Sequence, residues 1–218
     1  MDKKQRETIW FVSNALFIIN FTYWILQRII LLPDISLYYM NPILLIIVYS
    51  TLLIHLEIEE IMLSINFLCI LFFATRPLNI LLLPFFFNSL INTSIYYVSR
   101  KKSSKKDLIY KLCNFVVYKQ NLMLMLRNFC QIISLPLSLV LLFFGKTNIF
   151  SFFTFTILLW KEYNEDKNMK HTFSTLRQFL DTLLPNYPVL GFYYLKTRNL
   201  LLFACELNEA LKKKVKDS

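Results

Sequence analysis

A run of twenty-one residues without a charge, from Leu78 to Val98, is the feature that most constrains this chain. A helix rises about 1.5 Å per residue, so this run covers roughly 30 Å, the thickness of the hydrocarbon core of a bilayer. Five cations follow within the next eight positions and form a basic cluster: Arg100, Lys101, Lys102, Lys105 and Lys106. Because Lys and Arg beside a span are preferentially kept in the cytosol, the junction predicts a membrane span that ends on the cytosolic side.

The composition agrees with an integral membrane protein. Hydrophobic residues make up 56% of the chain and charged residues only 17%, which is more apolar than a soluble domain of this length requires. The net charge of +10 comes largely from cations at residues 3–6, 100–106 and 212–216, which flank apolar segments. This placement favours a positive-inside topology, so we expect the lipid bilayer as partner and no direct contact with nucleic acid.

Four apolar segments precede the basic cluster, at residues 8–26, 37–56, 61–75 and 78–98. If the basic N-terminus and the basic cluster are both cytosolic, the number of crossings between them must be even, and four segments satisfy this condition. The same topology predicts that Arg76, and later Lys146, face the lumen. With only two glycines in the chain, we expect the helices to pack through large apolar side chains and occasional Asn, Ser or Thr contacts.

Residues 107–131 have an amphipathic pattern. Polar positions recur at steps of three, four and seven, as in Asn114, Asn121 and Asn128, while apolar residues such as Phe115 and Leu126 fall mainly on the opposite side. The pattern predicts one helix, which either lies at the membrane interface or packs on the protein's own membrane segments.

Two short apolar arms follow, Ile132–Phe144 and Ile149–Trp160, joined by a turn at Gly145–Asn148. Their lengths correspond to roughly 20 Å and 18 Å, less than the roughly 27 Å core of an endoplasmic reticulum bilayer. Short paired arms predict a wedge-like membrane hairpin. The fold class expected is therefore all-α: a polytopic helical membrane protein with short helical hairpins and amphipathic C-terminal helices.

From Lys161 onward the chain is polar enough to leave the membrane, and two amphipathic helices are predicted there. Their apolar faces are expected to meet the membrane through Phe173, Leu176, Phe179 and Leu180 and, later, Leu200, Phe203 and Leu207. The predicted organisation is an N-terminal membrane region at 1–106, an interfacial helix with a membrane hairpin at 107–160, and a cytosolic helical region at 161–218.

No residue pattern indicates catalysis or a cofactor. His55 and Glu59 share a helix face, but zinc needs three or four ligands and no third is evident. Phosphate-binding glycine loops are excluded because only Gly145 and Gly191 exist. We therefore expect no enzymatic activity, no metal and no cofactor.

Two basic motifs have more than one interpretation. The basic cluster fits a stop-transfer flank, an anionic-lipid patch or a nuclear-import signal. Near the C-terminus, Lys214 and Lys216 resemble the dilysine retrieval signal of endoplasmic reticulum membrane proteins, which is read from the cytosol.

The second half of the chain resembles the transmembrane protein 33 family, which includes the fungal pore-membrane protein 33. The resemblance is carried by four segments, at residues 119–122, 128–136, 152–163 and 171–177, together with the turn at Gly145. Upstream, residues 60–98 followed by the basic cluster match the family's layout. The family's Asn-Pro after the last span is replaced here by Lys167–Met169.

The resemblance implies a multi-pass protein of the endoplasmic reticulum and nuclear envelope without enzymatic chemistry. Its partners would be reticulon-type membrane-shaping proteins, nuclear pore proteins or an import receptor. The function expected is a non-enzymatic organiser that shapes or stabilises curved membrane. The alternative is a small multi-span transporter or channel, for which Pro84 and Pro136 are the only features in favour.

Overall fold

The computed structural model describes residues 2–30, 39–100, 107–184 and 187, and this part of the chain is all-helical, with no strands. The elements in chain order are α1 (Lys3–Ile30), α2 (Met40–Leu53), α3 (Ile58–Leu63), α4 (Ile65–Ala74), a 3₁₀ turn (Asn79–Leu82), α5 (Leu83–Arg100), α6 (Leu108–Tyr118), α7 (Gln120–Phe143), α8 (Ile149–Glu165) and α9 (Lys167–Leu183). The all-α expectation is confirmed for these residues.

The chain divides into two compact units, residues 1–172 and residues 173–218. In the first unit, α1 packs against α2 and α5, and α2 packs against α4. The helices α4 and α7 both contact α8, and α5 contacts α6 and α7. In the second unit the structure describes the C-terminal part of α9, Leu184 and Tyr187.

Aromatic side chains form the core of the first unit. Phe72 on α4 is fully buried, and its ring centroid lies 5.8 Å from that of Phe85 on α5 and 5.1 Å from that of Phe155 on α8. Phe17 and Phe21 extend this cluster along α1. Large rings therefore fill the spaces between helices, as the scarcity of glycine predicts.

The third and fourth apolar segments are each interrupted, which the sequence analysis did not predict. Residues 61–75 are split at Ser64, whose backbone is extended and whose Oγ accepts a hydrogen bond from the N–H of Phe67 at 3.1 Å. This is an N-cap, so α4 starts at Ile65 and a separate short helix, α3, precedes it. The fourth segment begins with the 3₁₀ turn and becomes α-helical at Leu83, one residue before Pro84.

The prediction of one amphipathic helix over residues 107–131 is wrong. The helix α6 ends at Tyr118, and Lys119 separates it from α7. The latter continues to Phe143 and includes Pro136, so the first arm of the hairpin is not a 13-residue segment but part of a 24-residue helix of about 36 Å. The second arm, α8, also extends beyond Trp160, to Glu165.

The turn after α7 has the geometry that glycine permits. Gly145 has a φ of 65°. Its N–H donates to the carbonyl of Leu142 at 3.0 Å, and the N–H of Lys146 donates to the carbonyl of Leu141 at 2.8 Å. This hydrogen-bond pair is the Schellman motif, which satisfies the last carbonyls of a helix and requires a left-handed residue at this position.

Candidate membrane-binding surface

Among the residues that the structure describes, three helices are long and apolar enough to cross a membrane: Lys3–Ile29, Asn79–Arg100 and Gln120–Phe143, the second of which includes the 3₁₀ turn. The segments Met40–Leu53, Ile65–Ala74 and Leu108–Tyr118 are shorter apolar helices. The placement of polar and apolar side chains on these helices indicates whether their outer surface is suited to water or to lipid.

From Asn128 onward, the polar side chains of α7 point inward and many of its apolar side chains point outward. Asn128 is 0% exposed, whereas its neighbour Phe129 is 40% exposed. Further along the helix, Ser134 and Ser138 are buried, while Ile133 is exposed. A helix on the surface of a water-soluble protein shows the reverse arrangement, so this outer surface is suited to lipid.

The same arrangement occurs on α1. Ser13 and Asn14 are buried, but Leu16, Ile19 and Ile29 are exposed. Large exposed apolar side chains occur on several helices, a pattern typical of surfaces that bind membranes or other proteins. Buried Ser, Thr and Asn take the place of the missing glycines at helix contacts, in agreement with the packing predicted from the sequence.

Three asparagines form a hydrogen-bonded chain, which we call the asparagine ladder: Asn20, which is partly buried, and Asn41 and Asn79, which are buried. The amide of Asn20 on α1 donates to Oδ1 of Asn41 on α2 at 2.8 Å. Asn41 in turn donates to Oδ1 of Asn79 in the 3₁₀ turn at 3.2 Å. The ladder joins three segments of the chain in an apolar environment, where an unmade hydrogen bond is costly.

No sequence motif pointed to this ladder, because asparagine is abundant in the chain and a single Asn position carries little signal. The available signal was that each of the three lies in or beside an apolar run, where a polar side chain needs an internal partner.

A second polar group, the Arg127 cluster, joins α7 to the end of α8. The guanidinium of Arg127 donates to Oδ2 of Asp166 at 2.9 Å and, through Nε, to Oδ1 of Asn128 at 2.9 Å. Asn128 donates to the hydroxyl of Thr172 at 3.4 Å. This arrangement gives the cation of α7 an acidic partner at the end of the predicted membrane segment, where a charge is less costly than at mid-depth.

Glu162 lies beside this cluster. Its Oε2 and the Nε2 of nearby Gln131 are both buried. Burial raises the pKa of the Glu162 carboxyl above its ordinary value, and the Arg127 guanidinium and the Gln131 side chain partly oppose this rise.

Of the predicted basic cluster, only Arg100 is among the described residues. Its guanidinium pairs with the carboxylate of Glu7 and lies 4.8 Å above the ring of Tyr96. This contact places the end of α5 next to the start of α1. The four lysines, Lys101, Lys102, Lys105 and Lys106, lie outside the described residues.

The opposite ends of these helices are also brought together. The amide of Asn148, in the turn before α8, donates to the carbonyl of Thr75 at 3.1 Å. The turns that hold Lys146 and Arg76 are therefore neighbours, and they lie at the other end of α5 from Arg100. This pairing of ends agrees with an even number of crossings before the basic cluster.

For residues 107–131 the sequence left two arrangements open, a helix at the membrane interface and a helix packed on the protein's own membrane segments. The helix α6 has features of both. It packs on α5, with Val116 buried, and it leaves Leu108, Leu112 and Phe115 exposed along one side. These three residues are spaced four and three apart, so they form an apolar stripe on the helix that follows the basic cluster in the chain.

In the second unit, α9 contains four of the seven predicted membrane-facing residues. Phe173, Leu176 and Leu180 are partly buried, and Phe179 is 59% exposed. Ser174, Arg177 and Gln178 are exposed between them, so the helix is amphipathic as predicted. The remaining three, Leu200, Phe203 and Leu207, lie outside the described residues. The two lysines of the possible retrieval signal, Lys214 and Lys216, also lie outside them.

Within the described ranges, no three His, Cys, Asp or Glu side chains gather in a way that could hold a metal ion. Comparison with known proteins gives no match: no family model, no curated protein and no solved structure is similar to this chain.

Proposed function

We propose that this chain is a multi-pass membrane protein of the endoplasmic reticulum and nuclear envelope that organises membrane and is not an enzyme. The observation that carries the proposal is a bundle with exposed apolar side chains on its outer surface and buried Asn and Ser side chains beside its aromatic core, followed in the chain by the amphipathic helix α9. A helix of this kind, already tethered to a bilayer, inserts its apolar face among headgroups and expands one leaflet.

The lengths of the helices support a role in membrane shape. The helices α2 and α4 have 14 and 10 residues, about 21 Å and 15 Å, while α1 and α7 are long enough to cross a bilayer completely. Segments of unequal length in one bundle require the bilayer to thin or the bundle to occupy the two leaflets unequally.

The resemblance to the transmembrane protein 33 family supports the cellular setting and the scaffolding part of the proposal. On this basis the partners are reticulon-type membrane-shaping proteins, nuclear pore proteins or an import receptor. The basic cluster and the apolar stripe of α6 are adjacent in the chain and form the proposed cytosolic surface for anionic lipid or an acidic partner.

The test uses the full-length chain reconstituted into large unilamellar vesicles, with vesicle shape recorded by electron cryomicroscopy. We expect the parent protein to increase the fraction of tubular or small, highly curved vesicles. Phe179→Asp should reduce that fraction, because it removes the burial of one aromatic side chain, about 1.5–3 kcal/mol per helix, and places a carboxylate in the headgroup region.

The matched control is Gln178→Asp, which adds the same charge to the adjacent, polar side of α9. It should leave vesicle shape unchanged. Equal effects of the two variants would show that charge alone matters, and unchanged shape with the parent protein would reject membrane shaping. Solute flux through vesicles whose shape stays normal would instead support the alternative, a small transporter or channel.

A further inference from the structure

A cavity of about 890 Å³ lies where α1 ends, α2 begins and α4 meets the 3₁₀ turn. Its walls are largely apolar and include Trp24, Ile43, Ile46 and Phe73. Its volume is within the range of sites that hold small molecules. None of the functions discussed so far uses this cavity.

Two arginines, Arg28 and Arg76, line the same cavity, and both are exposed. No Asp or Glu is among its described lining residues, and no carboxylate pairs with either arginine in the part of the chain that the structure describes. The described acidic residues of the first unit belong instead to the start of α1, the region of α3, the start of α6 and the junction of α8 with α9. The described lining of the cavity is therefore mostly apolar and carries two cations and no carboxylate.

The backbone of Arg76 is unusual. Its φ is 54°, in the left-handed region that a residue with a Cβ rarely adopts, and its N–H donates to the carbonyl of Phe73 at 3.0 Å. Arg76 directly follows Thr75, the C-cap of α4, so its left-handed conformation ends that helix. The connection that follows lines the cavity from Arg76 to Ile80.

We propose that this cavity binds a glycerophospholipid, with the phosphodiester between Arg28 and Arg76 and an acyl chain along Trp24, Ile43 and Ile46. This inference assumes the membrane insertion in the proposed function, but not the role in membrane shape. Arginine recognises phosphate through paired N–H donors, and Trp is typical of the level at which headgroups meet the hydrocarbon core. Most of the cavity lining is apolar, which suits an acyl chain.

The experiment uses the full-length protein in detergent micelles with phosphatidylglycerol that carries a diazirine in one acyl chain. After photolysis, the labelled residues are identified by peptide mass spectrometry. We expect labelling of the cavity wall at Trp24, Ile43 or Ile46, and at least a tenfold loss of it in the double variant Arg28→Gln/Arg76→Gln. Both arginines are exposed, so the double variant should keep its helical circular dichroism.

Two further variants separate charge from shape. Lys146→Gln removes an exposed cation from the neighbouring turn, which does not line the cavity, and should leave labelling unchanged. Ile43→Trp narrows the cavity while both arginines remain, and it should also reduce labelling. Competition by unlabelled phosphatidylglycerol, but not by diacylglycerol, would show that the phosphate is recognised.

Labelling spread over the whole apolar surface, or labelling that is insensitive to the double variant, would overturn the proposal. A strong gain of labelling in Asp34→Asn, without any loss in the arginine variants, would also overturn the proposal. The arginines would then serve as partners of the Asp34 carboxylate and not of a lipid phosphate. Vesicle shape is measured independently, so a failure of the lipid site and a failure of membrane shaping give different results.

Discussion

The asparagine ladder makes a quantitative prediction about what holds the first unit together. Asn41 is fully buried and takes part in two side-chain hydrogen bonds, one with Asn20 and one with Asn79. Asn41→Ala removes both. Side-chain hydrogen bonds between membrane helices contribute about 0.6 kcal/mol on average and up to about 1.7 kcal/mol each, so the expected loss of unfolding free energy is about 1–3 kcal/mol.

The measurement is unfolding in mixed micelles titrated with sodium dodecyl sulfate, followed by circular dichroism. Asn92→Ala is the matched control, because Asn92 lies on α5 and takes part in none of the hydrogen bonds described above. Removing it should change the unfolding free energy by less than about 0.5 kcal/mol. A double-mutant cycle between Asn41 and Asn79 should give a coupling of about 0.6–1.7 kcal/mol.

Two results would refute this reasoning. If Asn41→Ala costs no more than Asn92→Ala, the ladder contributes no net stability, because the unfolded chain finds equivalent partners in the micelle. If the effects of the Asn41 and Asn79 variants are additive, the two side chains are not coupled, and the ladder is a feature of packing alone.

Two further predictions concern the Arg127 cluster and its surroundings. Asp166→Ala removes the ion pair with Arg127, in which the Arg127 and Asp166 side chains are 16% and 30% exposed, and the hydrogen bond that Asp166 accepts from the N–H of Asn168 at the start of α9. It should therefore lower the unfolding free energy by about 1–3 kcal/mol. Glu165→Ala, at a mostly exposed site, should lower it by less than about 0.5 kcal/mol in the same unfolding assay. Because the pKa of Glu162 is raised in the folded state, its protonated carboxyl stabilises the fold. This contribution is complete below the unfolded-state pKa, about 4.3, and is lost as the pH rises through the folded-state pKa. The difference in unfolding free energy between Glu162→Gln and the parent should therefore grow from pH 4 to pH 8, and a constant difference would contradict the assignment.

The helical class and the order of the apolar segments could be predicted from the sequence because long uncharged runs bounded by charge leave few alternatives. The helix breaks could not. Ser64 and Lys119 are neither glycine nor proline, and both interrupt helices through capping or a local change of backbone angles. The regular spacing of Asn114, Asn121 and Asn128 suggested one polar face, yet Asn128 is buried and Asn114 is exposed on a different helix.

The inward placement of polar side chains could only partly be predicted. The sequence indicates that a helix in lipid must satisfy its polar groups internally, but it does not state which groups meet. Asn20 and Asn79 are far apart in the chain and meet through Asn41, which requires three segments to be in register. The cavity between Arg28 and Arg76 depends on the same tertiary arrangement, and neither arginine has a sequence motif around it.

The charges at the two ends of the helices bear on the orientation of the first unit. Arg100, where the basic cluster begins, pairs with Glu7 near the basic N-terminus, and together these two regions carry more cations than the opposite end. The proposed cytosolic placement of the basic cluster therefore follows the positive-inside rule, although it leaves Arg28, Arg76 and Lys146 on the lumenal side. Cations there need a counter-charge, and the phosphates of lumenal headgroups supply one. A phospholipid held by Arg28 and Arg76 would thus both fill the cavity and stabilise the orientation that the basic cluster favours.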